Sequence, residues 1–146
     1  MDVVDANVLL YAVNRATPRH DQARAWLDNA LTGAETVGFS WAVLLAFLRL
    51  ATHPAVFPKP LPLDDAVAVL RAWLAAPSAV VLEPGPRHLD ILAGLLAETG
   101  TAGNLVGDAH LAALAIEHRA RVVSFDTDFG RFRGLRWSLP GEDRRP

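Results

Sequence analysis

The chain predicts an α/β fold: a central, mostly parallel sheet of four to five short strands flanked by helices. Three observations carry this expectation. Short β-branched runs such as Val3-Val4 and Val122-Val123 alternate with stretches whose apolar residues recur at helical spacing. Such alternation is the signature of a parallel-type sheet with helices on both faces. A hydrophobic content of 51% in 146 residues is enough for the core of one domain.

In order, residues 2–5 form the opening strand, and ANVLLYAVN continues it as a helical turn or two with Asp5 at the joint. Thr17-Pro18 signals a helix start; Ala23, Trp26, Leu27 and Ala30 mark one face, and Gly33 closes it. Residues 37–39 read as the second strand, after which Ser40 caps a helix over 41–52 with Val43, Leu44, Phe47 and Leu48 facing the core. The proline-rich stretch 53–63 is a connecting loop. Asp64 and Asp65 begin a helix carried by Val67, Leu70, Trp73 and Leu74, and residues 80–82 give a third strand. Leu89, Leu92 and Leu96 define the next helix, ending near Gly100. The unit from Asn104 to Phe132 reads as a helix, a basic turn and a buried strand, and residues 135–139 as an edge strand. One domain over residues 1–140 with a frayed tail at 141–146 is expected.

Composition excludes several classes. The net charge of −2 is not that of a protein binding nucleic acid by charge alone. The absence of cysteine excludes disulfides and thiolate metal sites. No apolar run is long enough to span a bilayer and no basic leader precedes DVVDAN, so a cytoplasmic location is expected. Lys59 is the sole lysine, and a GC-rich coding bias explains the arginine preference better than phosphate recognition does.

The acids are the informative feature. Asp5, Ser40 and Asp126 follow successive strands, and Asp108 opens the helix that leads into the last of them. In parallel sheets this edge, outside the strands' carboxyl ends, is where ligands bind. Carboxylates gathered there repel each other unless a cation neutralises them. Hard oxygen ligands with no cysteine point to Mg2+ or Mn2+ rather than zinc. Such an ion binds phosphate oxygens and activates water for in-line displacement. Each acid also has a local use: Asp5 as a helix cap, Asp108 as a favourable first-turn charge, Asp128 as a cap for the turn before Phe129. Asp126 has no such use, and the joint placement outweighs any single residue.

The segments DANVLLYA (5–12), FSWAVLLAFLRLATHP (39–54) and GNLVGDAHLAALAIEHRARVVSFDTDFGRF (103–132) resemble a PIN-domain ribonuclease, specifically a VapC-type toxin of a bacterial toxin–antitoxin pair. The closing GLRWSLP resembles the mycobacterial branch. The resemblance spans nearly the whole chain, and implies a PIN fold and metal-dependent cleavage of RNA, tRNA or rRNA, that inhibits translation. It also implies a VapB-type antitoxin whose C-terminal segment wraps the toxin, and a homodimer. Carried over residue by residue, the family's catalytic and metal-binding acids fall on Asp5, Asp108 and Asp126, with Asp128 a neighbour of variable role. The remaining one, a Glu, falls on Ala46, where LLAFLR stands in place of LLEFLR. Ala46 therefore reads either as ordinary helical core or as a removed carboxylate, by engineering or by natural loss. The chain as written is expected to bind metal weakly and cut poorly.

Supporting roles are expected for Asn7 and Ser40 beside the metal, capping being the simpler role for Ser40. Arg15, Arg19, His20 and Arg24 form one basic patch and Arg131, Arg133 and Arg136 another, both placed to guide an RNA backbone unless they are merely solvated surface. His110 is expected to be structural, and Trp26, Trp41 and Trp73 to be core or dimer contacts. Two rivals stand beside the ribonuclease. Taken literally, Ala46 makes a catalytically inactive binding module. VVSFDTDF fits an aspartyl-phosphate phosphatase with Asp126 as nucleophile, although the motif comes late and Lys59 lies upstream.

Overall fold

The computed structural model describes residues 1–100 and 103–142. Strand β1 (Asp2–Val4) leads through α1 (Ala6–Val13) and α2 (His20–Thr32) to β2 (Val37–Phe39). Helices α3 (Trp41–Ala51) and α4 (Leu63–Leu74) then lead to β3 (Ala79–Val81), and α5 (His88–Thr99) and α6 (Val106–Glu117) to β4 (Arg121–Val123). A 3-10 helix, Thr127–Arg131, precedes β5 (Arg136–Ser138). The five strands pair in the order β3-β2-β1-β4-β5, with every pairing parallel. The sheet expected to be mostly parallel is thus wholly so among the described residues. The strand order reverses between β1 and β4, and the loops that follow these two strands carry Asp5 and Asp126.

Central strands need apolar residues on both faces, and Val3, Val4, Val122 and Val123 are fully buried. Phe39, Phe47, Phe129, Leu9, Leu27, Leu44 and Leu114 fill the space around them. Helix α6 is apolar nearly all round, and its small residues Ala109, Ala112, Ala113 and Ala115 let it sink against β4 and α5. Close packing also explains Gly38 in β2, where a Cβ would stand 2.5 Å from Leu82 Cδ1. Register between β1 and β4 is pinned by a two-pronged ion pair. Arg121 Nε and Nη2 donate to Asp2 Oδ1 and Oδ2 at 3.0 and 2.8 Å, across directly opposed residues.

Leu89 is 73% exposed, because α5 turns Leu95, with Ile91, Leu92 and Leu96, onto the core instead. Trp41 is 52% exposed at the first turn of α3, whereas Trp26 and Trp73 are partly buried and Trp73 meets Phe47 edge-on at 5.2 Å. From residue 143 on, the expected tail lies outside the described residues. Among the described residues no helix is long and apolar enough to cross a membrane.

Candidate active site

The end of β1 delivers Asp5 into the first turn of α1, and each of its oxygens is committed. Oδ1 accepts from the Ala6 amide at 2.7 Å, while Oδ2 accepts from Asn7 Nδ2 at 3.0 Å and Ser124 Oγ at 2.7 Å. A simple helix cap would use the amide of the second or third helical residue. The second oxygen here is instead turned across the sheet towards the end of β4, so capping accounts for only half of this carboxylate. Burial raises the Asp5 pKa first; the bonds from Ser124 and Ala6 oppose that, and Asp126 adds to it.

Asn7 and Ser124 bind the two strand ends together. Asn7 Oδ1 accepts from the Phe125 amide at 3.1 Å, which fixes the orientation of the side-chain amide because a backbone N–H can only donate. Its Nδ2 then donates to both Asp5 and Ser124 Oγ, the latter at 2.9 Å. Ser124 is fully buried, and its hydroxyl also accepts from the Asp126 amide at 2.9 Å. Sequence reasoning anticipated that Asn7 would hold a carboxylate but passed over Ser124. The available signal was a small hydroxyl directly after the buried Val122-Val123 run.

Asp126 Oδ1 accepts from the Asp128 amide at 2.8 Å and so caps the 3-10 helix. This reverses the expectation for Asp128, which is exposed and pairs with Arg131 at 3.3 Å. The helix there starts at Thr127, two residues earlier than a cap at Asp128 requires, so the capping position is Asp126. Asp108 lies half-buried in the first turn of α6. Its pKa is raised from 3.8 to about 6, by burial first and then by the charges of Asp5, Asp126 and Asp128, with Arg131 pulling the other way. Acids from three separate parts of the chain therefore share one electrostatic field, as the strand-end argument required.

Of the other candidates, Ser40 is almost fully buried and caps α3 through the Val43 amide at 3.1 Å, so the simpler role holds. Ala46 is half-buried between exposed Leu45 and buried Phe47, and brings no polar atom to its position. Arg15 and Arg133 are exposed, and Arg24 pairs with Asp28. Arg136 Nη2 donates to the carbonyl of Arg119, which closes the tight turn before β4 at φ 54°. Arg19 is held against Phe125. His110 contacts His88, Nδ1 to Nε2 at 2.9 Å, at the α5–α6 junction, in keeping with a structural role.

A hard divalent cation fits this donor set in kind: the groups are carboxylates, with a charge excess that Arg131 only partly offsets. The fit is incomplete in position. Among the described residues, no group of three or more His, Cys, Asp or Glu side chains could hold an ion as they stand.

The PIN domain profile matches residues 3–135. The chain belongs to the PIN-domain family. Ribonuclease VapC37 of Mycobacterium tuberculosis is 59% identical over 140 residues, covering 96% of this chain and 97% of that protein. Ribonuclease VapC33 of the same species is 46% identical, covering 96% and 98%. These relatives place the chain in the VapC branch of the PIN family. The fold agrees with VapBC2 from Rickettsia felis, solved bound to a DNA fragment from its promoter, at a TM-score of 0.70 and 19% identity, covering 94% of this chain and 97% of that one. It agrees equally with VapC20 of Mycobacterium tuberculosis, a sarcin–ricin loop cleaving toxin, at a TM-score of 0.68 and 19% identity over 93% and 99% of the two chains. The phosphatase alternative loses its ground here, since the whole chain matches the PIN family.

Proposed function

We propose that this PIN-domain protein is the toxin of a toxin–antitoxin pair, a Mg2+- or Mn2+-dependent endoribonuclease acting on tRNA or rRNA in the cytoplasm. The observation that carries the reading is the gathering of Asp5, Asp126 and Asp128 around Asp108, whose pKa is raised to about 6 by burial first and then by those three charges. Strand ends that gather like charges at a cost to stability are expected where a cation and phosphate oxygens must be bound. Asp5, Asp108 and Asp126 are the residues to hold the ion. When bound, it would polarise a phosphodiester and lower the pKa of water.

The rest of the work falls to the chain. Asn7 and Ser124 keep the Asp5 carboxylate aimed, and the backbone of the β4 loop keeps Asp126 beside it. Asp108, in the first turn of α6, would serve as a ligand to the ion once ionised. Exposed Arg15 and Arg133 steer the RNA backbone. A VapB-type antitoxin and a second copy of the chain are the proposed protein partners. Ala46 leaves the site short of one carboxylate, so the chain as written binds metal weakly and cuts slowly. The same residue favours the second reading, an inactive module that binds antitoxin and RNA without cutting.

Single-turnover cleavage of a tRNA pool with Mn2+, alongside Mn2+ titration, tests this. The proteins compared are this chain, Ala46→Glu, and Ala46→Glu with Asp5→Asn. Mn2+ affinity should rise about tenfold or more with the restored carboxylate, cleavage should rise with it, and Asp5→Asn should abolish both gains. No cleavage and no metal uptake by any of them would leave the binding module.

A further inference from the structure

We propose that Arg19 is a positioning residue for Asp126 rather than a contact for the RNA backbone, an inference that rests on the ribonuclease reading above. Arg19 stands at the entry to α2, and its guanidinium carbon lies 4.8 Å from the centroid of the Phe125 ring. Its Nη1 also donates to the Phe125 carbonyl at 3.4 Å. Phe125 is the residue between Ser124 and Asp126, and it is buried.

The other groups of Phe125 are held from α1. Its amide donates to Asn7, and its ring meets that of Tyr11 at 5.3 Å with an interplanar angle of 55°. The Tyr11 carbonyl in turn contacts His20 Nδ1 at 2.9 Å, joining the end of α1 to the first residue of α2. Phe125 is thereby gripped at its N–H, its C=O and its ring by the first two helices. The peptide that Arg19 holds is the one that leads into Asp126, so releasing it frees the Asp126 backbone and the carboxylate with it. A guanidinium can stack on a ring and donate in its own plane at once; an ammonium cannot do both. The stacking and this bond use one face and one of the five N–H donors of an otherwise exposed guanidinium.

The experiment uses the full chain with Arg19→Lys and Arg19→Ala, and Arg71→Ala as an exposed arginine on α4. Hydrogen exchange without metal should speed up about tenfold at the Phe125 and Asp126 amides in both Arg19 variants. Mn2+ affinity should fall about tenfold in both, and Arg71→Ala should change neither. Affinity for a tRNA pool in EDTA, and its salt dependence, should stay as in the parent. Unchanged exchange overturns the proposal, and so does full rescue by lysine. Loss of RNA affinity in Arg19→Ala, with the salt slope reduced by about one and Mn2+ binding intact, overturns it in favour of a phosphate contact. If neither the parent nor Ala46→Glu takes up Mn2+, the ribonuclease reading fails, while the exchange result still decides the role of Arg19.

Discussion

Replacing Asp108 by Asn should make the metal-free protein more stable at neutral pH. The carboxyl is raised from 3.8 to about 6 in the fold. A rise of roughly two in pKa corresponds to about 3 kcal/mol if none of it is screened. Asp108 is half-buried, and solvent screening reduces this to about 1.5 kcal/mol. The favourable charge at the first turn of α6, which Asn gives up, offsets about 0.5 kcal/mol. Asp108→Asn should therefore gain about 1 kcal/mol, a shift of about 0.5 M in the urea midpoint at an ordinary m-value. The gain has a definite pH window. Below the ordinary value of 3.8 the carboxyl is protonated in both folded and unfolded chains, and the two proteins differ little. As the pH rises towards about 6 the unfolded chain ionises freely while the fold resists. The stability of the parent falls through this range and the advantage of Asn is complete above it. Urea titrations followed by tryptophan fluorescence between pH 4 and 8, in EDTA, measure it directly. Saturating Mn2+ should reverse the order, because the parent binds the ion better. A variant that is less stable than the parent at pH 7.5 in EDTA would refute the charge-repulsion argument.

Ser124→Ala removes a hydroxyl that donates to Asp5 and accepts from Asn7 and the Asp126 amide. Urea unfolding should show a loss of about 3 kcal/mol with an unchanged m-value, and titration should find the Asp5 carboxyl higher still. Asp2→Asn, which breaks the two-pronged pair with Arg121 between β1 and β4, should cost about 2 kcal/mol, and Asp2→Asn with Arg121→Met should recover part of it.

The elements that place the site were legible because strong local rules agreed on them. Val37–Phe39 followed by Ser40 gave both the strand and its helix cap, and the β-branched pairs at 3–4 and 122–123 gave the central strands. The convergence of Asp5, Asp108 and Asp126 on one region followed from a topological argument rather than from any one residue. What escaped was set by contacts between distant segments. Ser124 donates to a residue 119 positions away, and nothing local distinguishes it from a surface serine. Arg19 looked like one more exposed cation because Phe125, its partner, is 106 positions on. The cap fell on Asp126 instead of Asp128 because a two-residue error in where a short helix begins moves the cap. Leu89, Leu92 and Leu96 marked the helix, and Leu92 and Leu96 pack on the core with Leu95, while Leu89 at its first turn stays exposed.

The pairing of β1 with β4 also sets the order of events during synthesis. Asp5 and Asn7 are made more than a hundred residues before the Val123 carbonyl, Ser124 and Phe125 that hold them. Until β4 is available to pair, Asp5 has neither its backbone anchor nor its hydroxyl partner. A chain broken off anywhere before β4 cannot assemble the site, however well its first helices form. Under the proposed function, the ribosome making this protein is exposed to the finished centre only once β4 and the loop after it have emerged.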